Sequence, residues 1–364
     1  MPEYCVTGGT GFIAAHLIRT LLAAGHTVRA TVRDPGTHAR AQTMHGRSLG
    51  QLIEHDEGWI MDAEDEGKVG FLWELEGASE RLQLVKADLM VEGSFDEAVR
   101  GVDGVFHAAS PVLVVGGSNG NKATTKQDGD EVQEMLVEPI VRGAANVLRS
   151  CARARPRRVV FTSSCSSVRY CGAASLNESH WSDAAYCAAH GLWYAYAKTL
   201  AEKEAWRLAK ERGLDLVVVN PSFVVGPVLG PAATSTALIV LAMLRGELPR
   251  YPNTTVGFVH IDDAVLGHIL AMENPSASGR LICSCQVAHW SEILESLRER
   301  YPQYPIPREC SSSQKGDDRA HKMDTTKIRA LGFPPFLSVQ QMFDDCIKSF
   351  HEKGLLPYPP CATA

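Results

Sequence analysis

The sequence predicts an α/β fold, a doubly wound parallel sheet followed by a smaller C-terminal lobe. Three observations predict it. A short apolar run at residues 4–7 enters a glycine turn, Gly8-Gly9-Thr10-Gly11, and leaves it on a helical period with Ile13, Leu17, Leu21 and Leu22 on one face. Buried, β-branched runs recur at residues 27–33, 82–88, 104–107, 158–164 and 216–225, separated by helical stretches, which is the rhythm of βαβ units. Beyond these runs the elements become shorter and less regular. Residues 1–220 are therefore assigned to the sheet domain, and residues 221–364 mainly to the lobe, with some segments returning to the sheet.

Strand, glycine turn and helix are the context that a dinucleotide-binding, Rossmann-type fingerprint requires. Glycine lets the turn tighten and the backbone approach a pyrophosphate, whose charge is met by the N-terminal amides of the helix. The spacing is T-G-x-x-G-x-x-A, with Ala14 small enough to keep the helix close to the strand. Gly8, Gly9, Thr10, Gly11, Phe12 and Ile13 form the candidate cofactor loop.

The second run ends at Arg33, where such a fold reads the adenosine ribose. An acid there chelates the ribose hydroxyls of NAD, whereas an arginine pairs with the extra phosphate of NADP. Arg33 favours NADPH; Asp34, followed by Pro35, is either a turn residue or a ribose ligand. Residues 35–67 break the rhythm: they are polar, punctuated by glycine and acidic at the end, through Glu64, Asp65 and Glu66. So long a connection reads as a flexible insert. Order is expected to return at Lys68, with a helix through Phe71, Leu72 and Leu75, and then a strand. Asp88 and Leu89 end that strand beside the expected adenine site, with a plain turn acid as the alternative.

The fourth run passes into Ala108, Ala109 and Ser110, whose small side chains leave room for a cofactor crossing the sheet edge. His107, between Phe106 and Ala108, reads as an interior residue, and residues 116–129 read as a mobile loop. The fifth run ends in hydroxyls at Ser163, Ser164, Ser166 and Ser167. A serine at that edge can donate to a substrate carbonyl, the alternative being a turn that closes the strand. Tyr194 and Lys198 then stand four residues apart in a helix and so share a face. A cation stacked there favours the phenolate, which is expected to lower the tyrosine pKa and make Tyr194 a general acid. The sixth run, with Pro221, Ser222 and Val224, is expected beside the nicotinamide. Ser110, Ser164, Tyr194 and Ser222 are the candidate substrate contacts.

Bulk properties narrow the classes. With 364 residues, 45% hydrophobic and 21% charged, the chain can bury a large core. A net charge of −6 offers no basic footprint for nucleic acid. No apolar run reaches membrane-span length, and the N-terminus enters its first strand at once, so neither a span nor a signal peptide is expected. The ten cysteines show no C-x-x-C pair and no zinc-type spacing; reduced thiols, a cytoplasmic location and no metal are expected.

Together TGGTGF, ATVRDP, DGVFHAASP, TSSCSS, WYAYAKT, NPSFVVGP and FVHIDDA resemble the extended short-chain dehydrogenase/reductase superfamily, in the plant branch of dihydroflavonol reductases and cinnamoyl-CoA reductases. KVGFLWEL, LNESHWSD, YPNTTVGFVHID, VAHWSEI and MFDDCIKSF are more closely similar to the tetraketide α-pyrone reductases of pollen-wall synthesis. The resemblance implies a Ser164, Tyr194, Lys198 catalytic set, Arg33 on the 2′-phosphate of NADPH, and Lys68 as its lysine partner beyond the insert. It also implies a long-chain polyketide substrate and loose association with other pathway enzymes. A dihydroflavonol or a cinnamoyl-CoA ester is the alternative substrate. Other classes are a sugar-nucleotide epimerase and a non-catalytic NADP-binding protein.

Overall fold

The computed structural model describes residues 1–34, 63–110, 132–311 and 319–357; the 116–129 loop and residues 35–62 of the insert lie outside them. β1 (Glu3–Thr7) passes through the glycine turn into α1 (Phe12–Ala23) and then β2 (Thr27–Val32). α2 (Ala63–Trp73) precedes β3 (Leu82–Lys86). The helix begins at Ala63 and not at Lys68, so the last residues of the expected insert are helical. Burial of Val69 and Leu72 against the core anchors it. Next come β4 (Gly104–His107), one π-helical turn (Gln133–Val137) and α3 (Glu138–Ala154), which has a proline in its first turn, where a missing N–H is harmless. β5 (Arg158–Thr162) and α4 (Trp193–Arg212) follow, and α4 stops at Gly213, whose φ of 64° is the left-handed cap that glycine adopts freely.

Residues 216–225 form two strands where one was expected. β6 (Leu216–Pro221) ends on a residue with no N–H to extend the ladder, and after Ser222 the chain enters a second sheet as β7 (Phe223–Val225). α5 (Ser235–Leu244) and β8 (Thr255–His260) lead to α6 (Ile261–Glu273). The cap of α6 is His260, whose Nδ1 accepts from the Asp262 N–H at 3.0 Å. β9 (Gly279–Cys283), β10 (Gln286–His289), α7 (Trp290–Arg300) and α8 (Val339–Glu352) complete the major elements.

The main sheet has seven strands in the order β9-β6-β5-β4-β1-β2-β3, all paired in parallel. In the second sheet β8 lies between β7, parallel to it, and β10, antiparallel. Successive strand residues face opposite sides. Val160, Val217 and Val219 therefore join Leu17, Leu21, Val265 and Met272 in one core layer, while Val159, Phe161 and Val218 join Leu148, Ala197, Ala201 and Ala205 in the other. Strand order reverses at β1, which opens a crevice at the carboxyl ends of β1 and β4, where such sheets hold ligands.

Candidate active site

The glycine turn lies in that crevice, and its glycines have no room for a side chain. A Cβ on Gly8, whose φ is +73°, would lie 2.9 Å from Ala109 Cα, and one on Gly11 would lie 3.1 Å from the Gly8 oxygen. The turn is held from both sides. Thr31 of β2 receives the Gly9 N–H on its carbonyl at 2.8 Å and the Gly8 N–H on its hydroxyl at 3.1 Å. Thr7 Oγ1 accepts from the Ala109 N–H at 3.0 Å and lies 2.8 Å from His107 Nδ1. α1 starts at Gly11 with no side-chain cap, so its first amides face the turn. This is a backbone cradle of the kind that suits a pyrophosphate. Arg33 stands exposed just past β2, two residues beyond Thr31, and Lys68 is exposed on α2.

The second half of the site forms where β5 ends against α4. Tyr194, 40% exposed, stands beside Ser164, whose Oγ accepts from the Ser166 N–H at 3.1 Å. One turn along α4, Lys198 is buried and its Nζ donates to the Thr162 carbonyl at 3.3 Å. Thr162 Oγ1 lies 2.8 Å from His268 Nε2, while His268 Nδ1 lies 2.7 Å from the Ala264 carbonyl. A carbonyl only accepts, so Nδ1 carries the proton and Thr162 donates to Nε2. Burial holds the His268 pKa down at about 4, and burial together with the Lys198 charge holds His107 at about 3, so both are neutral. His107 is thus the interior residue expected.

The tyrosine departs from expectation. Burial raises the Tyr194 pKa, only partly countered by the neighbouring Ser164 hydroxyl. Burial also lowers Lys198, to about 8, against the opposing field of Glu202. The ammonium is directed at the strand-end carbonyl, and desolvation outweighs any pull on the phenol.

Residues 4–282 match the family model described as the NAD dependent epimerase/dehydratase family. The chain belongs to that family. It is 56% identical to tetraketide alpha-pyrone reductase 2 of Arabidopsis thaliana, over 98% of this chain and 100% of that protein. It is 40% identical to cinnamoyl-CoA reductase 2 of Medicago truncatula, over 98% and 93%. Vestitone reductase from alfalfa superposes with a TM-score of 0.73 at 30% identity, over 98% of this chain and 100% of that one. This member of the epimerase/dehydratase family is an oxidoreductase.

Other predicted residues occupy varied places in this epimerase/dehydratase fold. Phe12 is buried at the head of α1, with Ile13 packed beside it on the core. Asp88 closes a local turn, its Oδ1 accepting from the Met90 N–H at 2.7 Å, and Leu89 packs on Gly143. Ala108, Ala109 and Ser110 follow β4 half-buried at the crevice. Pro221 and Val224 are buried on either side of the strand break. The Ser222 hydroxyl donates to Cys165 Sγ at 3.3 Å. All nine cysteines among the described residues are free thiols. Thr7, Thr31 and Thr162, which hold the turn and Lys198, escaped sequence reasoning because threonine in a strand signals only β-propensity. No helix among the described residues is long and apolar enough to cross a membrane.

Proposed function

We propose that the protein reduces a ketone of a long-chain tetraketide α-pyrone with NADPH, a step toward sporopollenin precursors of the pollen wall. The observation that carries the chemistry is the placement of Tyr194 beside Ser164 at the sheet edge, with Lys198 one helical turn behind. The 56% identity to a tetraketide alpha-pyrone reductase over both whole chains supports the substrate class.

The crowded glycines Gly8, Gly9 and Gly11, the uncapped start of α1 and the cation Arg33 fit a dinucleotide with a 2′-phosphate. When bound, that cofactor supplies a hydride to the carbonyl carbon. The side chains do the rest. Ser164 donates a hydrogen bond to the carbonyl oxygen, and Tyr194 delivers its proton there as negative charge develops. Its raised pKa keeps that proton in place at neutral pH, and an alkoxide is basic enough to remove it. Lys198, charged below about pH 8, stabilises the phenolate that forms and is placed to hold the nicotinamide ribose. The lobe and its apolar elements would receive the acyl tail, and other enzymes of the route would associate loosely if at all.

The test is cofactor oxidation with NADPH or NADH, using a tetraketide α-pyrone, dihydroquercetin and a cinnamoyl-CoA ester in parallel. NADPH turnover of the pyrone alone, reduced roughly 10²- to 10⁴-fold in Tyr194→Phe, is the expected result. Preference for either other substrate would move the assignment to that branch. A Tyr194→Phe variant as active as wild type would remove the catalytic role.

A further inference from the structure

One helical turn past Lys198, on the stripe of α4 that carries Tyr194, lies a carboxylate with no solvent exposure, Glu202. Its Oε2 accepts from Ser163 Oγ at 2.6 Å, Ser167 Oγ at 2.6 Å and Asn220 Nδ2 at 3.0 Å. Its Oε1 accepts from Arg280 Nε at 2.6 Å and from Trp206 Nε1 at 3.4 Å. Arg280, 6% exposed, is as fully used. Its remaining donors reach the Glu178 and His180 carbonyls and Ser167 Oγ, and its guanidinium stacks 3.9 Å from the Trp181 ring centroid.

Two features tie this network to the site. Ser163 and Ser167 bracket Ser164, and both bond the same carboxylate oxygen, so the turn presenting Ser164 is fastened from either side. Asn220 extends the grip, since its Nδ2 also reaches the Ser164 carbonyl at 3.2 Å. Second, a buried unit charge one helical turn away, about 6 Å, acts on Lys198 with little solvent screening. The other titratable groups facing Lys198 are Tyr194 on its own helix and His107 from β4, both uncharged at neutral pH; Arg280 from β9 lies beyond Glu202.

We propose that Glu202 is a positioning residue for the reaction: it fastens the 163–167 turn that presents Ser164, and it places a fixed negative charge beneath Lys198. The proposal rests on the Ser164, Tyr194, Lys198 reading of the site. Arg280 and the serines make the buried carboxylate tolerable, because a buried charge persists only when paired and hydrogen-bonded. Without Glu202 the Lys198 ammonium loses the field that opposes its desolvation, and it gives up its proton at lower pH.

The test compares wild type with Glu202→Gln, Glu202→Asp and the charge-balanced Glu202→Gln/Arg280→Gln by thermal unfolding, pH profiles of kcat and KM, and pH-dependent NADPH affinity from nicotinamide fluorescence. In both Gln variants the alkaline limb moves to lower pH by about one unit or more. With the limb moved from about 8 to about 7, turnover falls about twofold at pH 7 and about tenfold at pH 9, with KM for the pyrone changed far less. Glu202→Asp keeps the charge and leaves the limb in place even where it melts earlier. A purely structural role predicts activity that follows melting temperature on an unmoved profile, and that result in the double variant would overturn the proposal. Should wild type turn over no substrate, the catalytic reading fails separately, and the pH at which NADPH affinity weakens still decides whether Glu202 acts on Lys198: it moves in the Gln variants or the proposal falls.

Discussion

Gly8→Ala probes the cofactor cradle directly, and the structure supplies its own control. Gly8 and Gly101 have nearly the same backbone, φ +73° and +74°, a region that L side chains rarely adopt. A methyl group on Gly101 meets nothing within 4 Å, whereas on Gly8 it lies 2.9 Å from Ala109 Cα, a backbone atom held by the Thr7 hydrogen bond. Both variants incur about 1 kcal/mol for the left-handed conformation. Gly8→Ala adds an overpacking penalty of about 1–3 kcal/mol, because neither the turn nor the end of β4 is free to retreat. With a urea m-value of about 3 kcal/mol/M, Gly101→Ala shifts the midpoint by roughly 0.3 M and Gly8→Ala by roughly 1 M. The displaced turn also weakens NADPH binding at least about tenfold, since backbone amides moved by a few tenths of an ångström no longer converge on one anion. Urea unfolding at constant m and fluorescence titration with NADPH are the assays. Equal midpoint shifts for the two variants, with NADPH affinity intact in Gly8→Ala, would refute the close-approach argument.

Three further outcomes follow from individual side chains. Lys198 has a folded pKa of about 8 against 10.5 for the free side chain, so the unfolded chain binds more protons between those values and stability rises with pH across that window. Lys198→Met should therefore abolish turnover while raising stability at pH 7 by up to about 3 kcal/mol, and a lower urea midpoint than wild type at pH 7 would contradict this. Asp262 is held at about 2 by neighbouring His16, Arg19 and His260, so its contribution is present above about pH 4 and lost as pH falls toward 2. Being half exposed, it contributes less than about 1 kcal/mol; Asp262→Asn should flatten acid unfolding between pH 4 and 2, and an unchanged acid transition counts against the linkage. Arg33→Ser should raise KM for NADPH about tenfold or more and leave NADH kinetics unchanged; equal effects on both cofactors would deny it the 2′-phosphate.

Local signals in the chain carried much of this. Gly8, Gly9 and Gly11 were readable because only a residue without a Cβ fits where Ala109, Ala30 and the Gly8 carbonyl crowd the turn. Tyr194 and Lys198 were readable because helical period alone puts them on one stripe. Other features were hidden. The strand break at Pro221 and Ser222 looked continuous, since the apolar pattern runs through it and only the partner strands, β9 before and β8 after, divide it. Nor does residue type reveal the cap of α6, since histidine is not a usual capping residue, yet His260 holds the position from which a side chain reaches the first amides.

The sequence by itself determined the α/β class, the order of strands and helices and the two halves of the site, because periodicity, glycine and helical spacing are properties of neighbours along the chain. Tertiary structure alone decided the ionisation of Tyr194 and Lys198 and the function of Glu202. Spacing suggested that the lysine would lower the tyrosine; burial, which depends on what the rest of the fold places around both groups, raised one and lowered the other. Nothing local marks Glu202; β5, β6 and β9 bring Ser163, Ser167, Asn220 and Arg280 onto it from elsewhere in the chain.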